Sequence, residues 1–454
     1  MAHVLCITSG LTGILHASFE VVRRIEARGH RVTYLSSSPV AETVEAQGIR
    51  FMALPPFVSD PVPHRPPRGG PIGRLGALVT RVATRPVRVR QGTEALRLDA
   101  YEQTLQSLAP DLIMADIEAH ESILAAHRLG VRLLLLSQWF STWSGTGMPP
   151  LGSDVVPGRG PAGDPEAVRE LWDQAERRTE AKRRRRLLRG HVDRGDVLRA
   201  YAQKSGVAPG ELTLTAFPPP LAYRSLPVLS MTLSELEFPQ TPRPNLHYVG
   251  PMVDAERHDL RVGAEVGGRV ESVVQWSRET GAKLISCTVS SMDAGDTTFV
   301  RKLIRAVARR PDWLLVVGLG GNVEPEALGA LPPNVFAFGW TPQLRLLEAA
   351  DVSVNHAGIH TINECIHFGV PMLVYSGGRY DQNGCAARVD YHGIGLRGDK
   401  DLDDESEIGR KLARVLEEPG FRQNMARVRA HYVRHREENS VGTLVDAHLQ
   451  APPS

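Results

Sequence analysis

The sequence predicts an α/β fold with two domains, each built on a parallel sheet, that face each other across a cleft. The chain has 454 residues, which is too many for one hydrophobic core. In each half, short apolar segments alternate with segments of helical periodicity, the pattern of a parallel α/β sheet. A proline-rich stretch, 238–244, separates the two halves as an interdomain linker would.

The first half contains two series of strand, helix and strand. Gly10 and Gly13 lie in a loop of small residues after the first strand, and Gly29 suits the position that follows a helix end. The predicted elements are a strand at 3–7, a helix carrying Leu15, Phe19, Val22 and Ile25, a strand at 32–35, a strand at 112–115, a helix at 118–129 and a strand at 133–136.

The second half repeats this alternation after Gly250 and Pro251. The predicted elements are strands at 284–287, 314–317, 335–338, 352–355 and 372–375, with a helix from Asp296 that carries Phe299, Leu303 and Val307. In such sheets, ligands bind beyond the carboxyl ends of the strands. We therefore expect the functional site in the cleft between the two domains.

The predicted domain boundaries follow from these patterns. We expect an N-terminal domain at 1–235, a linker at 236–250, a C-terminal domain at 251–430 and a C-terminal helical segment at 431–454. Residues 55–90 predict a loop followed by a basic helix. A second basic run, 177–189, predicts a solvated helix face, and the alternative is contact with a membrane surface or an anionic acceptor.

Composition narrows the class of protein. Lys and Arg number 53 against 51 Asp and Glu, so net charge does not indicate a nucleic-acid partner. The four cysteines form no CxxC pair, which favours buried free thiols over a disulfide framework. With no signal-peptide pattern and no long apolar run, we expect a cytoplasmic protein without stable membrane insertion, as a monomer or homodimer.

The stretch 339–395 carries the most chemical information. A buried strand at 352–355 is followed by small residues and a helix that begins near His360, so backbone N–H groups and the helix dipole favour a diphosphate there. His356 and Thr361 add donors to phosphate oxygens. Glu364 is placed to accept from the hydroxyls of a ribose, and Trp340 offers a flat face to a base.

This ordered set resembles the nucleotide-binding signature of the UDP-dependent family 1 glycosyltransferases, which include macrolide and carotenoid glucosyltransferases. The resemblance implies the GT-B fold of two Rossmann-like domains, with a C-terminal helix that crosses back to the N-terminal domain. It assigns base stacking to Trp340, nucleoside contact to Gln343 and ribose binding to Glu364. It assigns the remaining donor contacts as follows: diphosphate to Ser290 or Ser291, His356, Gly358 and Thr361, and sugar hydroxyls to Asp381 and Gln382. His360 stands where many members carry Asn.

The resemblance also implies the reaction, which is inverting, metal-independent transfer of a hexose from a UDP-sugar to a small lipophilic acceptor. Gln382 after Asp381 favours glucose. The UDP-sugar is a co-substrate, and we expect no cofactor and no metal site. The alternatives are a non-catalytic nucleotide-sugar-binding relative or auxiliary partner, and a nucleotide-sugar epimerase or hydrolase.

The general base is where the sequence departs from the family. Members carry a His after the first strand and an Asp that orients it; Asp116 matches that Asp, but the His position is Ile14. Three explanations stay open. A local shift brings His16 into the site, another base such as Glu118 or His120 serves, or the acceptor is nucleophilic enough to need none.

The acceptor pocket is expected from apolar residues after the strand at 133–136. Trp139, Phe140, Trp143 and Met148 are the candidates, together with Ile14 at the family's base position. Residues of this kind are equally expected in a plain core. The sequence does not identify the acceptor.

Overall fold

The computed structural model describes residues 1–62, 71–145, 147–208, 210–214, 221–241, 243–289, 297–321 and 323–451. The two predicted parallel sheets are present, and every predicted strand is found with small differences at its ends. Strands that are buried on both faces of a parallel sheet are apolar along their whole length. Runs such as 133–136 could therefore be predicted as strands from the sequence.

The first domain is built on a seven-stranded parallel sheet. Its strand order is β3-β2-β1-β4-β5-β8-β9, and a separate antiparallel pair, β6-β7, lies outside it. The strands are β1 His3–Ile7, β2 Arg31–Ser36, β3 Phe51–Ala53, β4 Leu112–Asp116, β5 Arg132–Ser137, β6 Leu212–Leu214, β7 Leu221–Tyr223, β8 Val228–Ser230 and β9 Leu246–Tyr248.

Helices surround this sheet. They are α1 Thr12–Glu26, α2 Ala41–Glu45, α3 Pro71–Ala83, α4 Arg85–Ala95, α5 Leu98–Leu108, α6 His120–Arg128, α7 Pro165–Leu188 and α8 Arg194–Lys204. The helix predicted at 118–129 thus begins at His120. Gly29, after α1, has the positive φ of +81° expected beyond a helix end. In the basic run on α7, Lys182, Arg184 and Arg185 are exposed, as a solvated face requires.

The second domain is built on a six-stranded parallel sheet in the order β12-β11-β10-β13-β14-β15. Its strands are β10 Lys283–Thr288, β11 Trp313–Gly318, β12 Val335–Phe338, β13 Val352–Asn355, β14 Met372–Val374 and β15 Gly395–Arg397. The helices are α9 Ala264–Thr280, α10 Thr298–Ala308, α11 Gln343–Ala349, α12 Ile359–Phe368, α13 Gln382–Tyr391, α14 Glu405–Glu417, α15 Pro419–Glu437 and α16 Ser440–Gln450. The predicted start of α10, Asp296, lies outside the described residues.

The predicted linker, 236–250, needs correction. It contains β9, which pairs with β8 and is the last strand of the first sheet, so that domain extends to Tyr248 rather than ending at residue 235. The prolines at 239–244 mark a break in regular structure, but they carry no information on which sheet receives the chain afterwards. Leu246 pairs with Val228 and Tyr248 with Ser230, which makes β9 a strand of the first sheet.

The C-terminal segment contacts both domains. On α15, the Tyr432 hydroxyl lies 2.6 Å from Nδ1 of His367 in α12 of the second domain. The helical structure is interrupted at Asn439, which has a positive φ of +44°. Helix α16 then packs on α1 of the first domain. Val441 and Val445 of α16 are fully buried there, and Asp446 binds the first domain through His30.

Two further structural facts bear on the class of protein. All four cysteines, Cys6, Cys287, Cys365 and Cys385, are buried free thiols, as predicted. Within the described ranges, none of the helices combines the length and the apolar character that crossing a membrane requires.

Candidate active site

A cleft of about 1560 Å³ lies between the two domains at the carboxyl ends of both sheets. Residues on the loops after β1, β4 and β5 line it from the first domain, and residues after β12, β13 and β14 line it from the second. Every donor-site residue predicted within the described residues lines this cleft: Trp340, Gln343, His356, Gly358, His360, Thr361, Glu364, Asp381 and Gln382. Ser290 and Ser291 lie outside the described residues, directly after Val289, which lines the cleft.

The loop between β13 and α12 is shaped for close approach to a ligand. A Cβ at Gly358 would lie only 2.5 Å from Nε2 of His356, so the loop requires glycine there. Ala357, between them, has a positive φ of +62°, a strained conformation for a residue with a Cβ. Gly358 is the residue before α12 and provides no side-chain cap, so the first N–H groups of the helix face the cleft without an intrahelical partner.

Trp340 and Glu364 are the residues predicted to contact the nucleoside, and both line the cleft. The indole of Trp340 packs over Gly321, where a Cβ would lie 2.6 Å from its Nε1. The carboxylate of Glu364 accepts hydrogen bonds from Arg257 at 2.7 Å and from the Gln343 side-chain amide. Each of the two carboxylate oxygens therefore already accepts a hydrogen bond from a protein side chain.

Two arginines of this site were missed by sequence reasoning. Arg257 binds Glu364, and the guanidinium of Arg261 lies 4.7 Å from the centre of the Trp340 ring. Both belong to the irregular segment 254–262 between the predicted linker and α9. The available signal was two cations four residues apart in a stretch without helical or strand periodicity, which is a weak pattern on its own.

His360 joins the two domains. Its Nε2 lies 2.8 Å from Oε1 of Gln138 in the first domain, and its ring lies so close to Gly13 that a Cβ there would be 2.4 Å away. Burial, with the charge of Arg257 as a second cause, lowers the pKa of His360 to about 4, so the ring is neutral near pH 7. The residue at the family's Asn position therefore makes an interdomain contact here.

Asp381 and Gln382 follow β14 and face the N-terminus of α12. The carboxylate of Asp381 accepts a hydrogen bond of 3.1 Å from the Ile359 N–H, the first of that helix, and burial raises its pKa. The Gln382 side chain accepts from the Gly377 N–H at 2.9 Å. Both side chains are thus held in fixed orientations beside the helix end that the sequence predicts for a diphosphate.

Comparisons with known proteins agree with this arrangement. Residues 303–442 match the family described as Erythromycin biosynthesis protein CIII-like, C-terminal domain. The oleandomycin glycosyltransferase of Streptomyces antibioticus is 26% identical, over 99% of this chain and 91% of that protein. The zeaxanthin glucosyltransferase of Pantoea ananas is 22% identical, over 94% and 91%. The chain is thus similar to natural-product glycosyltransferases over nearly its whole length, and residues 303–442 carry the C-terminal domain of such an enzyme family.

The fold agrees with these similarities. The crystal structure of the kitacinnamycin glycosyltransferase superposes with a TM-score of 0.68 at 23% identity, and covers 98% of both chains. The two Rossmann-like domains are therefore those of the GT-B fold, as predicted.

The candidate catalytic corner, formed by the residues predicted to supply a base, lies where β1 and β4 end. Asp116 is buried at the end of β4, and its Oδ1 accepts from the Glu118 N–H at 3.1 Å. Glu118 lines the cleft, and its pKa is raised, first by burial and then by the negative charge of Asp116. Burial also raises the pKa of Asp116. A cleft carboxyl group with a raised pKa is suited to proton transfer near neutral pH.

Ile14 and His16 both border the cleft from α1. Ile14 is fully buried in the core of the first domain, so the family's base position is occupied by an apolar core residue. His16 is partly exposed to the cleft. Burial, together with the charges of Arg257 and Arg261, lowers its pKa to about 3, which makes it a weak proton acceptor.

His120 does not line the cleft. It is the first residue of α6, fully buried, and its Nδ1 lies 3.2 Å from the Tyr223 hydroxyl. Its selection as a possible base was wrong because the chain turns between Glu118 and α6 and directs the two side chains to different surroundings. Spacing along the sequence does not reveal that turn.

The predicted acceptor residues separate into three places. Trp139 lines the cleft. Phe140 and Trp143 line a second, narrow cavity in the first domain. Met148 lines neither cavity; it packs on Phe238, and its sulfur accepts a hydrogen bond from Arg388 of the second domain. Its assignment to the acceptor pocket was therefore wrong.

Among the described residues, no group of three or more His, Cys, Asp and Glu side chains is arranged so that it could hold a metal ion.

Proposed function

We propose that this cleft transfers a hexose, glucose from UDP-glucose, to a small lipophilic natural product with inversion at the anomeric carbon. The observation that carries the proposal is the convergence of Trp340, Glu364 and the N-terminus of α12 on one wall of the cleft. These groups match the base, the ribose and the diphosphate of a uridine nucleotide. The names of the oleandomycin and zeaxanthin relatives support a lipophilic acceptor.

The proposed reaction depends on stabilising the negative charge that develops on the departing diphosphate. The acceptor nucleophile loses its proton and bonds to the anomeric carbon, while the bond from that carbon to the β-phosphate oxygen breaks and UDP leaves with the electron pair. The helix N–H groups and His356 stabilise the charge that develops on the departing oxygen. Preorganised donors of this kind act without a metal ion, so we propose metal-independent transfer.

For the proton, we propose Glu118 as the acceptor. Among the candidates, Glu118 and His16 line the cleft, and the low pKa of His16 leaves it little affinity for a proton. The raised pKa of Glu118 gives it the greater basicity, and Asp116 acts through Glu118 by raising that pKa further. This choice replaces the His of other members with a carboxylate on the neighbouring strand.

A second candidate function rests on Ile14. An apolar core residue at the family's base position is what a non-catalytic nucleotide-sugar-binding relative or auxiliary partner would show. One experiment separates the possibilities: UDP release and product mass are measured with UDP-glucose and a panel of phenols, macrolides, acids and amines. Release that requires acceptor, with a hexose added to it, supports transfer. Release without acceptor indicates a hydrolase, isomerised UDP-sugar an epimerase, and tight binding without turnover the binding role.

A further inference from the structure

The segment 254–262 is fixed to the first domain. Asp254 forms an ion pair with Arg23 of α1 at 2.9 Å. The backbone of His258 makes two hydrogen bonds with the side-chain amide of Gln47, at 3.1 and 3.0 Å. Arg261 donates to Thr12, at the start of α1, at 3.0 Å. The segment therefore belongs mechanically to the first domain, although it follows the last strand of that domain's sheet.

Two arginines of this segment reach across the cleft to the second domain. Arg257 pairs with Glu364 at 2.7 Å, and both side chains are less than a tenth exposed, at 7% and 8%. Arg261 lies over the face of Trp340, 4.7 Å from the ring centre, as a cation–π contact. The two groups that they engage are those that the donor site offers to a ribose and a base.

Resting on the donor site proposed above, we propose that Arg257 and Arg261 compete with the nucleoside for Glu364 and Trp340, and then bind the diphosphate. A base that stacks on Trp340 takes the ring face from Arg261. A ribose that binds Glu364 takes a carboxylate oxygen from Arg257. The displaced guanidinium groups stay in the cleft, because the segment that carries them is tied to the first domain.

The charge balance gives this exchange a direction. A nucleoside has no charge, so its binding would separate Arg257 from its buried carboxylate partner without compensation, which is costly. A nucleoside diphosphate brings the negative charge that both guanidinium groups require. The other cleft residues near them, His16 and His360, are held neutral by their lowered pKa values, and Asp259 is the acidic neighbour on the same segment. The site therefore admits the nucleoside well only when a diphosphate accompanies it.

The test compares uridine with UDP by calorimetry, for wild type and for Arg261→Ala. Arg261 is exposed, so its truncation leaves the core intact. Uridine should bind about two- to fivefold tighter in the variant, since its competitor for Trp340 is gone. UDP should bind about tenfold weaker, since a charge-assisted phosphate contact is lost. The preference for UDP over uridine thus falls more than tenfold.

The matched control is Arg269→Ala, which removes an exposed arginine that covers Phe338 at 5.0 Å outside the cleft lining. Both affinities should stay at their wild-type values in it. Equal changes of both ligands in Arg261→Ala, or no change in either, overturn the competition. Trp340→Ala separates this failure from that of the donor site: if it leaves UDP binding intact, the proposed site itself is wrong.

Discussion

At the scale of single residues, the proposed role of Glu118 as the proton acceptor can be tested directly. Glu118→Gln should lower kcat/KM about 10²- to 10⁴-fold, the usual contribution of a positioned general base. A carboxylate works as a base only when ionised, and burial and Asp116 raise its pKa. The activity of wild type should therefore fall as the pH drops through a value above the ordinary carboxylate range, and Glu118→Gln should lose that limb of the pH–rate profile.

His16→Ala and Ile14→His provide the comparison for this prediction. Both positions border the same cleft as Glu118, so all three variants change the same site. If Glu118 is the base, His16→Ala changes the rate little, and Ile14→His helps little. A kinetic pKa that follows the acceptor's own ionisation, with Glu118→Gln unaffected, would show that the acceptor needs no base. A large loss in His16→Ala alone would assign the proton to His16.

The proposed contact of Glu364 with the ribose predicts the choice of nucleotide at the same scale. Its carboxylate is placed to accept from both ribose hydroxyls, and deoxythymidine diphosphate lacks one of them. A lost charge-assisted hydrogen bond is worth about 1.5–3 kcal/mol, so UDP should bind roughly tenfold or more tightly than dTDP. Calorimetry with both nucleotides measures this ratio. Equal affinities would refute the preference for UDP-sugars.

At the scale of elements, the N-terminus of α12 is the proposed anion site. Because its N–H groups and dipole supply the positive potential, transfer should retain full activity in excess EDTA. The assay is turnover with UDP-glucose before and after chelation. If activity is lost and magnesium or manganese restores it, the account of leaving-group stabilisation by the helix is wrong.

Asp381 tests a different property of the same element. It contacts the first N–H of α12 and stands where the family holds the sugar hydroxyls. Asp381→Ala should reduce transfer strongly while UDP binding survives, because UDP carries no hexose. Asp381→Asn keeps a hydrogen-bond acceptor for Ile359 and is the matched control for helix capping. Loss of UDP binding in both variants would show that the residue is structural.

At the scale of the whole molecule, the most deeply buried ion pair between the domains, among the described residues, is that of Arg388 and Glu237. Glu237 accepts from Arg388 of α13, from the Ser141 N–H and from the Tyr248 hydroxyl, and Arg388 lies between Phe140 and Phe238. The two charged side chains are 2% and 1% exposed. Arg388→Ala leaves a buried unpaired carboxylate and should lower the free energy of unfolding by about 3–5 kcal/mol.

Urea unfolding measures this loss, and Arg159→Ala is its control. Arg159 pairs with Asp390 of the same helix, but its side chain is 52% exposed, so its removal should cost less than about 1 kcal/mol. Equal losses in the two variants would mean that burial of the Glu237 pair does not govern the domain interface.

The sequence by itself determined both sheets and the residues that line the cleft from the second domain, the proposed donor wall. Parallel strands buried on two faces are apolar throughout, and helices show their periodicity, so local pattern was sufficient. The residues of the donor wall, from Trp340 to Gln382, lie on the loops at the carboxyl ends of three strands of one sheet, β12, β13 and β14, and on the helices that follow them. Chain order therefore placed them together.

Only the tertiary structure decided what faces that wall. Arg257, Gln138 and Glu118 come from distant parts of the chain, and no local pattern records that they meet the donor residues. The same holds for Met148 and His120, whose residue types suit a pocket or a base but whose packing removes them from the cleft. Propensity and spacing act over a few residues, whereas burial, ion pairing and pKa depend on all neighbours in space; this is why the fold was predictable and the catalytic corner was not.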